Sequence, residues 1–137
     1  MDPTTAQAIN AIESLKARCF RSIDTKDWEA LDSVVAEDVS VDSTALEGDR
    51  VTGASNYVAL LKRDYDKAVT VHHGHMPEIE ITSPGSATAT WAVQVLTVQP
   101  DGERVLAFGH DHDTYSLSGD QWLITATTST RLHLDNS

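Results

Sequence analysis

SATATWAVQVLTV, residues 86–98, alternates through its second half. Trp91, Val93, Val95 and Thr97 fall on one side of an extended chain, and Ala92, Gln94 and Leu96 on the other. A period of two with β-branched and aromatic residues reads as a strand. Upstream, VHHGHMPEIEIT (71–82) reaches it through SPGS. Downstream, QPDGE leads to RVLAFGHDHDTYSL (104–117), and SGD leads to QWLITATTSTRLHL (121–134). Turns of this kind join antiparallel neighbours. Residues 71–134 therefore predict a meander of four long antiparallel strands.

Before this stretch the period is helical. Ile9, Ile12, Leu15, Cys19, Phe20 and Ile23 form a stripe, with Thr4 or Thr5 as the expected cap. IDTKDW (23–28) breaks it. Thr25 or Asp27 can cap a second, short helix whose Trp28, Leu31, Val34 and Val35 share a face. VSVDS (39–43) predicts a short strand and EGDRVTG (47–53) a loop. A third helix is expected from about Ala54 to Tyr65, with Val58, Leu61 and Tyr65 inward. Helices followed by strands predict an α+β domain, its three N-terminal helices packed on one face of a mostly antiparallel sheet. The 137 residues suit one domain, 1–137, long enough to bury a core unaided.

Composition narrows the function. Hydrophobic residues make up 40 % and charged residues 23 %, as in globular proteins, and the formal net charge is −11. Such a surface repels phosphate backbones and anionic lipid, so nucleic acid and membranes are not expected partners. The single cysteine, Cys19, forms no internal disulfide and no cysteine-based zinc site. MDPTTAQAIN lacks the basic-then-apolar pattern of a signal peptide, and no apolar run is long enough to span a bilayer. A cytoplasmic location is expected. No glycine-rich phosphate loop is present, so no cofactor is expected.

His72, His73 and His75 crowd into four positions of the first long strand. Counting back by twos from Ile79 and Ile81 puts His73 and His75 on the isoleucine face. A one-residue bulge at Pro77, which cannot donate to a ladder, puts His72 there instead. Spacing alone leaves both registers open. In FGHDHDTY, His110, His112 and Thr114 share one face, and Asp111, Asp113 and Tyr115 the other. Polar groups on both faces suggest one wet face and one lining a pocket. The pairs His73-x-His75 and His110-x-His112 also raise a metal site. A strand lies between them, so they are roughly 10 Å apart, and no metal is expected.

RSIDTKDWEALDSVVAEDVSVD, TVHHGHMPEIEI and GHDHDTYSLSGDQWLI together resemble the nuclear transport factor 2-like superfamily, in its SnoaL-like branch. The order of elements matches across nearly the whole chain. The resemblance implies a cone-shaped α+β barrel: a curved sheet wrapped round three helices, with a deep pocket open at one end. Scytalone dehydratases and hexachlorocyclohexane dehydrochlorinases carry an Asp before a "DW" pair and a His opening the first long strand, as a catalytic pair. By position this implies Asp24 and His72. In those relatives the His stands seven residues before a large apolar residue, here Ile79, which favours the bulged register. Ile23, Thr97, Asp113 and Tyr115 differ from the dehydratase's side chains, which implies a shared pocket with another substrate. The resemblance also implies a homodimer through the outer sheet face, here Gln94, Leu96, Val98, His110 and His112.

The chemistry follows. Asp24 would fix the tautomer of His72 and stabilise its protonated form, and His72 would take a proton from carbon or oxygen. Asp24 could equally cap the TKDW turn, and His72 could be a solvated strand residue. Asp113 could orient His72, bind a substrate hydroxyl or pair with Arg131. Tyr115 could donate to a developing oxyanion. Trp91, Val95 and Phe108 are read as pocket wall or core, Arg131 as a pocket residue, and Asp42 as standing where ketosteroid isomerases place their base. The expected function is a cofactor-free lyase of the dehydratase type acting on a cyclic, largely apolar hydroxy or keto compound. An isomerase or cyclase using the same pocket, and a ligand-binding or dimerisation module, are the alternatives.

Overall fold

The computed structural model describes residues 3–136. Helix α1 runs Pro3–Asp24 and α2 Trp28–Val34; strand β1 spans Val35–Asp42, β2 Arg50–Thr52, and helix α3 Ala54–Tyr65. Four long strands follow: β3 Val69–Ser83, β4 Ser86–Val98, β5 Arg104–Ser118 and β6 Gln121–Asn136. The predicted stripe of α1 is the buried one, with Ile12 and Leu15 sealed and Cys19, Phe20 and Ile23 nearly so. Asp27 caps α2, its side chain accepting the N–H of Ala30 at 3.2 Å. Thr4 and Thr5 do not precede α1 but lie in its first turn, because the helix already starts at Pro3.

The six strands form one sheet in the order β2-β1-β6-β5-β4-β3. The meander β3 to β6 is antiparallel throughout, as predicted. Two features differ from the sequence reading. Residues read as a loop contain β2, paired antiparallel with β1, and β1 runs parallel to β6. The sheet is therefore mixed, and it is not closed: β2 and β3 are its free edges. The helices cover one face, where Trp91, Val93, Tyr115 and Ile124 meet the α1 stripe in a single core. Gly74 permits this approach. A Cβ there would sit 3.0 Å from the Phe20 ring and 3.2 Å from Trp91.

A bulge divides β3. His75 pairs with Ala92 but Glu78 with Thr90, so Met76 and Pro77 together face one residue of β4. Met76 takes a left-handed conformation, φ 39°, and is exposed. Cross-strand partners share a face, and His72 pairs with Val95, Gly74 with Val93 and Ile79 with Ala89, all on the helix-covered side. His73 and His75 pair with Gln94 and Ala92 on the opposite side.

Candidate active site

A cavity of about 340 Å³ opens between the helices and the sheet, a volume suited to a small molecule. His72 and Tyr65 line it near the end of α1, Val93 and Val95 along β4, and Asp111 and Arg131 on β5 and β6. No helix among the described residues is long and apolar enough to cross a membrane.

His72 lines the cavity, and Asp24 meets His72 from behind the lining. The Nδ1 of His72 lies 2.7 Å from Asp24 Oδ1, and the backbone N–H of His72 donates to Asp24 Oδ2 at 2.9 Å. Thr70 donates to Asp24 Oδ1 at 3.0 Å, and Lys26 donates in turn to Thr70 at 3.3 Å. The carboxylate is thus engaged by tertiary partners on β3, and Asp27 caps the following helix. Burial raises the pKa of Asp24, but the hydrogen bonds from the His72 ring, the His72 backbone and Thr70 outweigh it and hold the carboxyl below its ordinary range. With Nδ1–H given to Asp24, Nε2 of His72 is left as an acceptor. Phe20 stands 5.3 Å from the imidazole and Tyr65 meets it edge-on at 6.1 Å, so the ring is packed in place and only a tenth exposed.

A second polar group, not recognised from the sequence, lies further along α1. Lys16 is buried, and its Nζ is 3.0 Å from Asp111 Oδ2 and 2.8 Å from Asp113 Oδ2. Burial alone would lower its pKa, but the two carboxylates raise it well above the ordinary value of 10.5. Tyr115 donates to Asp113 Oδ2 at 2.7 Å, Thr127 to Asp113 Oδ1 at 2.6 Å, and Trp91 Nε1 to the Tyr115 hydroxyl at 3.0 Å. Ser129 donates to Asp111 Oδ1 at 2.8 Å. Burial pushes the Cys19 thiol, on the same helix, up to about 12. The signal was available: Lys16 falls inside the apolar stripe of α1, where a charge needs a partner.

Several expected roles change. Asp113, Tyr115 and Trp91 stand behind the cavity wall, and the proton of Tyr115 is committed to Asp113. The partner of Asp113 is Lys16, not Arg131 or His72. Arg131 does reach the cavity, with its guanidinium on the Leu46 carbonyl at 3.2 Å. Asp42 is not on the cavity wall; Thr44 and Arg50 bind it and hold its carboxyl down at about 2. Val95 lines the cavity as expected. Phe108 borders it, but its ring stacks on His133 at 6.4 Å, and the residue pairs with outward-facing Gln94. His73 and His75, and likewise His110 and His112, lie side by side on the outer face, with ring separations of 6.0 and 6.2 Å.

The fold has many counterparts. A hexachlorocyclohexane dehydrochlorinase, LinA-type3 from Novosphingobium barchaimii LL02, superposes with a TM-score of 0.89 at 14 % identity, covering 100 % of this chain and 94 % of that one. A protein from Novosphingobium aromaticivorans DSM 12444, provisionally named a scytalone dehydratase, gives 0.88 at 20 % identity, covering 100 % and 92 %. The Kfla4162 protein of Kribbella flavida gives 0.86 at 22 %, covering 98 % and 95 %. At these identities the likeness is one of fold, the open cone shared by nuclear transport factor 2-like proteins. The sequence itself matches the SnoaL-like domain over residues 4–128, nearly its full length. The chain belongs to the SnoaL-like domain family.

Proposed function

We propose that this chain is a small-molecule lyase of the dehydratase type that needs no cofactor, with His72 as general base and Asp24 as its partner. The observation that carries the reading is the 2.7 Å contact between Asp24 Oδ1 and the Nδ1 of His72, a residue that lines the cavity. The substrate is a cyclic, largely apolar compound bearing a hydroxyl or carbonyl, matched to walls such as Phe20, Val93 and Val95. His72 Nε2 removes a proton beside the leaving group. Asp24 stabilises the resulting imidazolium, the electron pair of the broken C–H bond forms the double bond as the C–O bond breaks, and the imidazolium returns its proton to the departing hydroxide, releasing water and neutral His72. The fold neighbours named for dehydratase and dehydrochlorinase chemistry support an elimination.

The test is a screen of ring ketones and secondary alcohols for binding, followed by product analysis. His72→Asn is expected to bind a true substrate within a few-fold of the wild type and to lose turnover by roughly 10²–10⁴. Wild-type turnover in that variant would end the proposal. A product with a shifted rather than a new double bond would reassign the same dyad to isomerisation.

A further inference from the structure

The proposed chemistry uses one end of the cavity, whereas Lys16 and Asp111 line the cavity elsewhere. Their hydrogen bonds can be counted. Lys16 gives one N–H to Asp111 and one to Asp113, and its Nζ lies 4.7 Å over the centre of the Phe20 ring. Asp113 Oδ2 already receives Lys16 and Tyr115, its Oδ1 receives Thr127, and its side chain is fully covered. Asp111 is different. Each of its oxygens receives one donor, Ser129 on Oδ1 and Lys16 on Oδ2. A carboxylate oxygen accepts two, so both keep an acceptor position. Asp111 also lines the cavity, with 13 % of its side chain exposed. Asp111 lies two strands across from His72 and four residues further along, so their backbones are roughly 16 Å apart, and with both side chains reaching inward the gap suits a fused-ring compound.

We propose that Asp111 is an anchoring site for a hydrogen-bond donor on the substrate, which makes the substrate a neutral ring compound carrying a hydroxyl away from the reacting carbon. This deepens the small-molecule reading above and rests on it. Lys16 and Ser129 are positioning residues that hold the carboxylate in one orientation. The local charge agrees with a neutral ligand. Asp111 and Asp113 share the one buried ammonium of Lys16, so a carboxylate on the substrate is repelled at this end. Arg131 at the cavity wall is the group that could hold an anion instead.

The experiment is a calorimetric titration of the intact protein with 2-naphthol, 2-methoxynaphthalene and 2-naphthoate. The three share a ring system but differ in donor and charge. The wild type is expected to bind 2-naphthol about tenfold or more tightly than either of the others, the usual worth of a hydrogen bond to a charged acceptor. Asp111→Asn is expected to reduce that preference several-fold, and Asp113→Asn to leave it nearly intact while lowering the melting temperature. Equal affinity for 2-naphthol and its methyl ether would overturn the proposal. So would tightest binding of 2-naphthoate, which would assign the ligand to Arg131, or no binding of any of the three at millimolar concentration. The comparison within the wild type stands even if the variants fail to fold. It involves no turnover, so an inert His72 would sink the lyase reading without touching this result.

Discussion

Asp24 grips His72 at two points, one oxygen on the ring Nδ1 at 2.7 Å and the other on the backbone N–H at 2.9 Å. The residues are 48 apart in sequence. The double grip ties the last turn of α1 to the start of β3, so one carboxylate both orients the imidazole and docks a helix on the sheet.

This makes the stability of the fold sensitive to acid. Because the folded-state pKa of Asp24 is depressed, its contribution is present above the ordinary value of 3.8 and is lost as pH falls through the lower folded value. Asp24→Asn is expected to cost about 1–2 kcal/mol at neutral pH. The difference from the wild type should shrink as the pH drops below the ordinary carboxylate range. Urea unfolding across that range checks it, and a pH-independent difference would show that the charge contributes nothing.

Lys16 has the opposite sign. Its pKa is raised, so its contribution is present below 10.5 and is lost only as pH rises through the still higher folded value. Lys16→Met leaves two buried carboxylates without their cation and is expected to destabilise by about 3–5 kcal/mol. Adding Asp113→Asn to that variant should recover part of the loss. Chemical denaturation of the single and double variants measures the coupling. Strict additivity would mean that the ion pair is not a unit.

Gly109 tests the β5–β6 contact. A Cβ there would collide with the carbonyl oxygen of Thr130, which belongs to the rigid ladder. Gly109→Ala is expected to cost about 3 kcal/mol or more. Gly102 has a positive φ, 90°, but open space around it, so Gly102→Ala should cost only the left-handed strain, about 1–2 kcal/mol. Similar melting temperatures for the two variants would contradict this ranking.

The outer sheet face is expected to pair two copies of the chain. Leu96 pairs with Leu106 and Gln94 with Phe108 on that face, an apolar strip costly to leave wet. Light scattering at micromolar concentration should give about twice the 14.9 kDa chain mass. A charge on the strip, Leu96→Glu, should return the mass to that of one chain. A monomer at every concentration would refute the pairing.

The two periodicities carried most of the fold. The 3.6-residue stripes located α1 and α3, and α3 begins and ends where they predict, because its buried residues repeat cleanly. The meander followed from turns that leave little choice of neighbour. The pairing of β1 with β6 was not legible, since a parallel partner some 85 residues away leaves no local trace. The site divided in the same way. Asp24 and His72 rested on the family resemblance, since spacing alone left the histidine register open, whereas the partner of Asp113 could not be found by inspecting its own strand. Lys16 stands 95 residues from Asp111, and only the packing of α1 across β5 brings them together.

The bulge at Met76 and Pro77 works like a shift of reading frame. Beyond it odd-numbered residues of β3 face the helices, Ile79 and Ile81 among them; before it even-numbered ones do, Thr70, His72 and Gly74. If one residue were removed there while the isoleucines kept their places, the N-terminal half of the strand would turn over. Val71 would then take the place of His72 against Asp24, and His72 would turn to the outer face. Gly74 would leave its seat against Phe20 and Trp91 to His73, whose ring could not fit. Three neighbouring histidines are therefore not interchangeable spares. The extra residue selects His72, and losing that single position would leave Asp24 facing a valine in place of the proposed base.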